Sequence, residues 1–192
     1  MEQDENGPAE WKVLGSNQIL QLPHILTIDQ ERWRQVRSGR EGNFYRYHLP
    51  NWVQVVAVED GGSRLILVNQ YRFGLRSIAL ETPGGNVEPN ESPLAAARRE
   101  LLEETGHRAE RWQLLAALHP MPAYSDNFLH IFLATGCRRI ADQHLDFFEE
   151  ITVTAMAVDE VYAKLSDGTL NQAHVVIALL LAREHLQIGP KK

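Results

Sequence analysis

Residues 85 to 106 read GNVEPNESPLAAARRELLEETG, and this stretch decides the fold of the chain. Ser92 can cap a helix, and Pro93 suits its first position because the N–H that proline lacks would be unpaired there. Gly106 suits the position just past the end of a helix, where the backbone is commonly left-handed. The stretch therefore predicts a helix from about residue 93 to residue 105.

The predicted helix has an apolar face and an acidic face. An α-helix turns once in about 3.6 residues, so residues three, four and seven positions apart share a face. The apolar face, which can pack on a core, carries Leu94, Ala97 and Leu101. The acidic face carries Glu100, Glu103 and Glu104. Three carboxylates are therefore expected to converge at one spot.

Like charges that converge in this way require a cation. Such pairs at i,i+4 destabilise an isolated helix by roughly 0.2–0.5 kcal/mol each, and only Glu103 has a local offset, the i,i+4 cation Arg99. The pair Glu100 and Glu104 therefore needs another cation. Hard oxygen ligands without a nearby Cys or His pair favour magnesium, manganese or calcium over zinc, and magnesium usually accompanies phosphate chemistry.

The turn before the helix favours a metal site. Residues 82 to 85, with the sequence TPGG, bring bare backbone next to the helix start, where carbonyls can ligate a metal and a phosphate can approach. A solvated acidic face is the commoner reason for a glutamate-rich helix, but the turn, the spacing and the caps together favour a metal. The predicted ligands are Glu100, Glu104 and the carbonyl of Gly84. The chemistry indicated is metal-assisted attack on phosphorus.

Composition and charge limit the function classes. With 192 residues and 44% hydrophobic content, the chain can form one globular domain with a substantial core, plus an appendage. The formal charge of −6 and the pI near 5.7 argue against a footprint for DNA or RNA but allow a small phosphorylated ligand. The longest apolar run, residues 175 to 182, is far shorter than the about 20 residues of a membrane span. We therefore expect no nucleic-acid partner and no membrane partner.

Two features favour a cytoplasmic location. The single Cys137 cannot form an intramolecular disulfide, and the polar opening Met1 to Glu10 lacks the apolar run of a signal peptide. We therefore expect a reducing, cytoplasmic setting.

β-Branched and aromatic runs between turn signals predict the strands. They lie at 11–22, 25–36, 43–49, 52–58, 64–71, 78–82, 112–118, 128–134 and 151–158, with a hairpin at 59–63. Helices are predicted from Asp159 to Lys164 and from Asn171 to about His185. This order predicts a small antiparallel β appendage over residues 1–49. Over residues 50–188 it predicts a mixed sheet with the 93–105 helix on one face and the terminal helix on the other.

The spacing of Gly85, Glu91 and the segment from Arg99 to Gly106 resembles a Nudix box. One position differs, because the family pattern has an aliphatic residue after the final glycine and this chain has His107. The resemblance implies the α/β/α sandwich of the Nudix superfamily, an α+β fold. It also implies cleavage of a nucleoside diphosphate that is linked to another group.

Flanking segments resemble the ADP-ribose pyrophosphatase and nucleoside diphosphate sugar hydrolase branch of this superfamily. They are residues 70–73, 80–85, 121–128 and 149–153, followed by 167–168 and 176–179. The resemblance implies a magnesium-dependent hydrolase, with manganese as an alternative. Its substrate would be a nucleoside diphosphate sugar or ADP-ribose, and its products a nucleoside monophosphate and a sugar phosphate.

The resemblance also implies roles for the carboxylates. A loop glutamate of this branch acts on water, which makes Glu149 the expected general base and Glu150 the alternative. Glu104 is expected to act as a catalytic metal ligand, and Glu103 as a further ligand or a base. Glu91 is expected to favour the positive end of the helix or to pair with a cation.

Four residues are expected to bind the substrate. Arg72 is predicted to clamp the phosphates or the base, with an exposed edge-strand cation as the alternative. Glu81 is predicted to bind ribose hydroxyls or to pair with an arginine. Tyr124 and Ser125 lie in the segment that resembles the substrate loop of the branch.

The resemblance further implies a homodimer in which the N-terminal appendage exchanges across a two-fold axis. Aromatic residues in or beside the appendage could then supply a plane for base recognition, namely Trp33, Phe44, Tyr45, Tyr47 and Trp52. Two other interpretations remain open. One is a nucleotide-sugar binding module without turnover. The other is a Nudix enzyme for a coenzyme A ester, a dinucleotide polyphosphate or an oxidised nucleotide.

Overall fold

A computed structural model describes residues 7–23 and 25–186 of the protein. By their contacts, these residues divide into two compact units. The first contains the described residues up to Pro50 together with His119–Asn127. The second contains Asn51–Leu118 and the described residues from Phe128 onward.

The first unit contains an antiparallel sheet. Among the described residues its strands are β1 (Trp11–Leu22), β2 (Leu26–Gln35) and β3 (Glu41–His48), in the order β1-β2-β3. The segment His119–Asn127 attaches to this sheet through β3, because the backbone N–H of Tyr47 donates to the carbonyl of Tyr124 at 2.7 Å. The predicted N-terminal antiparallel sheet is confirmed.

The second unit contains a mixed sheet and three helices within the described part of the chain. Its strands are β4 (Trp52–Glu59), β5 (Arg64–Arg72), β6 (Ser77–Glu81), β7 (Gly84–Asn86), β8 (His107–Arg108), β9 (Arg111–Leu118), β10 (Leu129–Arg139) and β11 (Ile151–Ala157). Its helices are α1 (Pro93–Thr105), α2 (Val158–Ser166) and α3 (Ala173–Ala182), the last followed by a 3₁₀ turn at Arg183–His185.

The sheet of the second unit runs in the order β11-β5-β4-β10-β8. Strand β4 pairs in parallel with β10 and antiparallel with β5, so the sheet is mixed. Outside this order, β6 pairs with β5, β7 with β4 and β9 with β10, each in antiparallel orientation. This arrangement leaves both faces of the central strand β4 available for packing.

Side chains of β4 alternate between two cores. Val53, Val55 and Ala57 pack with the apolar face of α1, and the helix contributes Ala96, Ala97 and Leu101. Val56 and Val58 pack on the opposite face of the sheet, where the buried helical residues are Val158, Val161, Tyr162, Val175, Ala178, Leu179 and Ala182. The α/β/α sandwich predicted from the sequence is confirmed, with α1 on one face and α2 and α3 on the other.

The caps of α1 are those predicted from its sequence. Ser92 accepts a hydrogen bond from the N–H of Ala95 at 3.2 Å, and Pro93 opens the helix. Gly106 ends it with a φ of 71°, and its N–H donates to the carbonyl of Leu102 at 2.7 Å. A Cβ added at Gly106 would also lie 2.2 Å from the carbonyl oxygen of Ala141, so glycine is required there for space as well as for backbone conformation.

Two local predictions were wrong. Asp159 does not cap α2, because the helix begins one residue earlier, at Val158, and Asp159 lies in its first turn. There its charge still favours the positive end of the helix. The last helix begins at Ala173 rather than Asn171. The short strands β7 and β8 were not predicted.

The assignment of residues 1–49 and 50–188 to separate domains stays a prediction, since residues 1 and 188 lie outside the described ranges. Within those ranges, no helix combines the length and apolar character needed to cross a membrane.

Candidate active site

A glycine turn lies directly against the central strand of the second unit. The carbonyl of Pro83 accepts a hydrogen bond from the N–H of Val55 at 2.8 Å. A Cβ added at Gly84 would lie 2.2 Å from the carbonyl oxygen of Val53, so only glycine lets the backbone approach this closely.

Glu104 is buried beneath this turn. Its side chain accepts a hydrogen bond from the N–H of Gly84 at 3.0 Å, and the residue is 4% exposed. Burial raises the pKa of Glu104 from 4.5 to about 8, and the charges of Glu100 and Glu149 act in the same direction. Among the described residues, Glu104 has no ion-pair partner. Its charge is therefore poorly compensated within the protein.

Glu100 occupies the space that Gly85 leaves open. A Cβ added at Gly85 would lie 2.2 Å from Oε1 of Glu100. Burial raises the pKa of Glu100 to about 7, although Arg99 donates to the same carboxylate at 2.9 Å and acts in the opposite direction. The two glycines thus cover the carboxylates of two glutamates from one helix.

Arg99 binds more carboxylates than the sequence predicts. It reaches Glu103 at 3.1 Å, as expected, but also Glu100 at 2.9 Å and Glu91 at 3.0 Å. The prediction that Glu103 alone has a local cation was therefore wrong, because the guanidinium fork can donate in several directions. Glu91 pairs with a cation, which is one of its two predicted roles, and hydrogen bonds from Arg99 lower its pKa.

The predicted convergence of three carboxylates on one spot is not observed. In residues 7–23 and 25–186, no three His, Cys, Asp or Glu side chains are grouped around a common metal position. Glu103 is held by Arg99, and Glu104 turns toward Gly84. The protein side chains that remain close to the glycine turn are those of Glu100 and Glu104.

The backbone of Gly84 adds a third oxygen on the same side. In an extended strand, the N–H and C=O of one residue point the same way, and neighbouring residues point in opposite directions. The carbonyl of Pro83 points toward β4, whereas the N–H of Gly84 points toward Glu104. The Gly84 carbonyl is therefore directed to the carboxylate side. An all-oxygen donor set of this kind fits a hard divalent cation whose other ligands are water or substrate.

Glu149 acts electrostatically on both glutamates. Its charge contributes to the raised pKa of Glu100 and of Glu104, whereas Glu150 is an exposed residue just before β11. The backbone N–H of Glu149 donates to the carbonyl of Asp146 at 2.9 Å, which closes a turn in the loop. Of the two glutamates predicted as the base, Glu149 is the one whose charge acts on both buried glutamates.

Gln143 joins this loop to the glutamate helix, and the sequence analysis did not identify it. Its side-chain N–H groups donate to the carbonyl of Glu104 at 2.6 Å and to the carbonyl of Ile151 at 3.1 Å. The N–H of His144 donates to the carbonyl of Glu103 at 2.9 Å. The loop therefore binds the carbonyls at the end of α1, which have no partners within the helix. No sequence pattern marks such a residue, because its partners are distant backbone atoms.

Arg72 and Glu81 form a paired unit at the end of β5 and β6. Arg72 donates twice to the Glu81 carboxylate, at 2.7 and 2.6 Å, and Glu81 is 1% exposed. Glu81 thus has the arginine partner that was one of its two predicted roles. The bond to Glu81 raises the pKa of Arg72, and the charges of Glu104 and Glu149 add to this effect. The Arg72 guanidinium therefore lies close enough to Glu104 and Glu149 to interact with their charges.

The other two predicted substrate residues belong to the first unit. Tyr124 stacks on Tyr47 with ring centroids 5.9 Å apart. Ser125 is buried, and its hydroxyl donates to the side chain of Asn127 at 2.8 Å. Both line a cavity of about 650 Å³, which we call the aromatic cavity and whose other aromatic walls are Trp11, Trp33, Phe44 and Tyr45.

Fold and site together define a Nudix-type sandwich with buried glutamates beneath a glycine turn, and comparisons with known proteins agree. Residues 49–179 match the family described as NUDIX domain. The chain is 31% identical over 141 residues to the ADP-ribose pyrophosphatase of Bacillus subtilis (strain 168), a match covering 72% of this chain and 76% of that protein. The chain therefore belongs to the NUDIX domain family.

Two further similarities cover more of the chain. It is 31% identical over 178 residues to the ADP compounds hydrolase NudE of Escherichia coli (strain K12), which covers 88% of this chain and 95% of that protein. A crystal structure of an ADP compounds hydrolase superimposes with a TM-score of 0.79 at 26% identity, over 92% of this chain and 94% of that chain. These similarities extend beyond the NUDIX domain into the N-terminal sheet.

The raised pKa values predict that the metal-free protein loses stability as the pH rises. Glu104 has a folded pKa of about 8 against 4.5 ordinarily, so the folded state binds more protons between these values and its stability falls across the interval. With chelator present, we expect the melting temperature to fall by roughly 4–8 °C between mildly acidic and mildly alkaline pH. Glu104→Gln should flatten this dependence. An equally steep fall in the variant would contradict the assignment.

Filling the space above Glu100 should weaken metal binding. In Gly85→Ala the new Cβ displaces the Glu100 carboxylate, so we expect the affinity for Mn²⁺, measured by electron paramagnetic resonance of the free ion, to fall by about tenfold or more. Gly74→Ala is the matched control, because a Cβ at Gly74 meets nothing within 4 Å. Equal affinities in the two variants would show that Glu100 does not bind the metal.

Proposed function

We propose that this chain is a divalent-metal-dependent pyrophosphatase. Its substrates would be nucleoside diphosphate sugars, ADP-ribose or related ADP compounds, and its products a nucleoside monophosphate and a phosphorylated second group. The observation that carries the proposal is the burial of Glu100 and Glu104 beneath Gly84 and Gly85 with incomplete charge compensation. Such carboxylates are stabilised by a cation, and the names of the relatives in Bacillus subtilis and Escherichia coli support the substrate class.

Glu100, Glu104 and the carbonyl of Gly84 would hold the metal. Magnesium is the proposed ion, with manganese as an alternative, because the donors are oxygens and the substrate carries phosphates. A bound divalent cation supplies charge neutralisation for the diphosphate and acidifies a coordinated water. Glu103 is proposed as a supporting carboxylate, since Arg99 already holds it.

Glu149 is the proposed general base. It would take a proton from the attacking water, whose oxygen forms a bond to one phosphorus while the P–O–P bridge breaks. The leaving phosphate carries away the electron pair of the broken bond. The field that Glu149 exerts on Glu100 and Glu104 supports this role over Glu150.

Arg72 is the proposed phosphate clamp, and Glu81 its positioning partner. A doubly hydrogen-bonded guanidinium is fixed in direction while its remaining N–H groups stay available to an anion. Of the two predicted roles of Glu81, this proposal takes the pairing with an arginine rather than the binding of ribose hydroxyls.

The aromatic cavity of the first unit is the proposed base-binding surface. Its rings offer planes for stacking, and Tyr124 contributes one of them. The cavity also contains Glu31, a buried carboxylate that accepts a hydrogen bond from the indole N–H of Trp33 at 3.0 Å. We further propose that the protein is a homodimer built through this N-terminal sheet.

A cytoplasmic setting is part of the proposal. The thiol of Cys137 is buried and forms no disulfide, and burial raises its pKa to about 12. A buried neutral thiol of this kind suits a reducing compartment.

Phosphate release from a substrate panel tests the proposed function. The panel contains ADP-ribose, GDP-mannose, ADP-glucose, UDP-glucose, NADH, coenzyme A and diadenosine polyphosphate, each with magnesium and a coupled phosphatase. We expect turnover on the sugar-linked diphosphates and the other ADP compounds. Tight binding of these compounds with no product at any metal concentration would instead indicate a binding module.

Glu104→Gln should lower kcat on the best substrate by on the order of 10²-fold or more while the protein stays folded. Glu160→Gln, an exposed helical glutamate of α2, is the matched control and should keep full activity. Comparable activity of the two variants would contradict a metal-binding role for Glu104.

The variant Gln143→Glu tests whether Gln143 positions the Glu149 loop for catalysis rather than only supporting the fold. The variant keeps the side-chain shape but replaces the donor with an oxygen that faces two carbonyls. We expect kcat to fall by about tenfold to hundredfold, because the Glu149 loop loses its side-chain hydrogen bond to α1 and keeps only the backbone bond from His144. KM and metal affinity should change little. Gln113→Glu on the exposed surface of β9 is the control. A loss confined to KM, or none, would show that Gln143 does not position the loop.

A further inference from the structure

A second cavity in the NUDIX unit lies between α1 and the strands that follow it. It has a volume of about 430 Å³, and we call it the basic cavity. Its walls include Arg98 and Arg99 of α1, His107 and Arg108 of β8, and Trp112 of β9. Four cationic or potentially cationic side chains therefore surround one cavity in a chain whose formal net charge is −6.

Two of these arginines, Arg98 and Arg108, have no carboxylate partner among the described residues. Arg99 is committed to Glu91, Glu100 and Glu103, as described above. The side chains of Arg98 and Arg108, by contrast, form no ion pair or hydrogen bond with any residue that the structure describes. Their guanidinium groups are therefore free to bind a ligand in the cavity.

The strand pairing concentrates positive charge at the same place. Strand β8 pairs with the end of β10 so that Arg108 lies opposite Arg138 and His107 lies opposite Arg139. Like charges directly opposite each other destabilise a pair of strands. Arg138 and Arg139 each have carboxylate partners, at 2.9 Å from Asp60 and Asp142, whereas Arg108 has none in the described chain. An anion beside Arg108 would relieve this repulsion.

His107 adds a further group to the wall. Its Nδ1 lies 2.8 Å from the carbonyl of Thr105, and because a carbonyl only accepts, Nδ1 carries a proton. Nε2 has no partner among the described residues.

The remaining wall residues indicate which kind of ligand fits the cavity. Glu110 also lines the cavity, but it lies 3.3 Å from Arg138, which offsets its charge. Trp112 packs edge-on against Phe132, with ring centroids 6.3 Å apart, and its indole also lines the cavity. The cavity thus combines two free guanidinium groups with an aromatic surface.

We propose that the basic cavity is a second binding site, for a ligand that carries a phosphate group. Arg98 and Arg108 bind the phosphate oxygens, because guanidinium forks match their geometry. Trp112 offers a plane to a ring attached to the phosphate, so a nucleoside monophosphate fits better than the inorganic ion. The site is separate from the proposed hydrolytic site, although Arg99 lines the cavity and also binds Glu100.

Isothermal titration of the full chain in chelator tests the proposal, since chelator removes metal-mediated phosphate binding. Inorganic phosphate and a nucleoside monophosphate are titrated separately into the unmodified protein and into the double variant Arg98→Gln/Arg108→Gln. We expect saturable binding that the double variant weakens at least tenfold. Arg76→Gln removes another arginine of the same unit, one that has no ion pair among the described residues. It should leave the affinity unchanged and controls for the loss of one positive charge.

The arms of the titration also distinguish the two phosphate sources. If the nucleotide binds more tightly than phosphate, and Trp112→Leu removes this difference without weakening phosphate binding, the site contacts the ring. If both ligands bind equally, the site recognises the phosphate group alone. The single variant Arg98→Gln, on the exposed side of α1, serves if the double variant fails to fold. No saturable binding, or equal affinity in the arginine variants and the unmodified protein, would overturn the proposal.

Discussion

The hydrogen bond from the Gly84 N–H to the buried carboxylate of Glu104 is the contact on which the site depends. Removing a carboxylate from water is unfavourable unless other groups replace its hydration, and one backbone N–H replaces only part of it. The contact requires glycine at position 84, because any side chain would collide with the carbonyl of Val53. It also requires α1 to end where Gly106 ends it, since Glu104 lies in its last turn. The glycine turn, strand β4 and helix α1 are thus all constrained by the buried carboxyl group of Glu104.

The end of α1 also organises the rest of the site. Carbonyls in its last turn are bonded by Gln143, His144 and the N–H of Gly106, so the loop after β10 is fixed to the helix that carries the glutamates. The same loop continues to Glu149 before entering β11. Helix and loop therefore cannot move independently without breaking these bonds. A carboxylate on the loop can consequently act on the carboxylates of the helix through a defined geometry.

Local sequence signals predicted the framework well. Ser92, Pro93 and Gly106 define α1 because caps and left-handed residues act within a few positions, and β-branched and aromatic runs between turn signals located most of the strands. Contacts between distant segments were not predictable in this way. The multiple pairing of Arg99, the role of Gln143 and the two-residue strand β8 depend on tertiary placement, and Asp159 was misread because β11 passes directly into α2. The expected three-carboxylate cluster is absent from the described residues for the same reason. Glu104 turns toward the N–H of Gly84, whereas Glu100 and Glu103 both bind Arg99.

Calorimetric titration of the unmodified protein with Mn²⁺, near neutral pH and in two buffers of different ionisation enthalpy, tests the central claim most directly. If Glu100 and Glu104 hold the metal, their raised pKa values mean that binding must displace protons, and we expect about one proton released per metal bound. Binding without proton release, or the absence of binding, would show that these buried carboxylates are not the metal site.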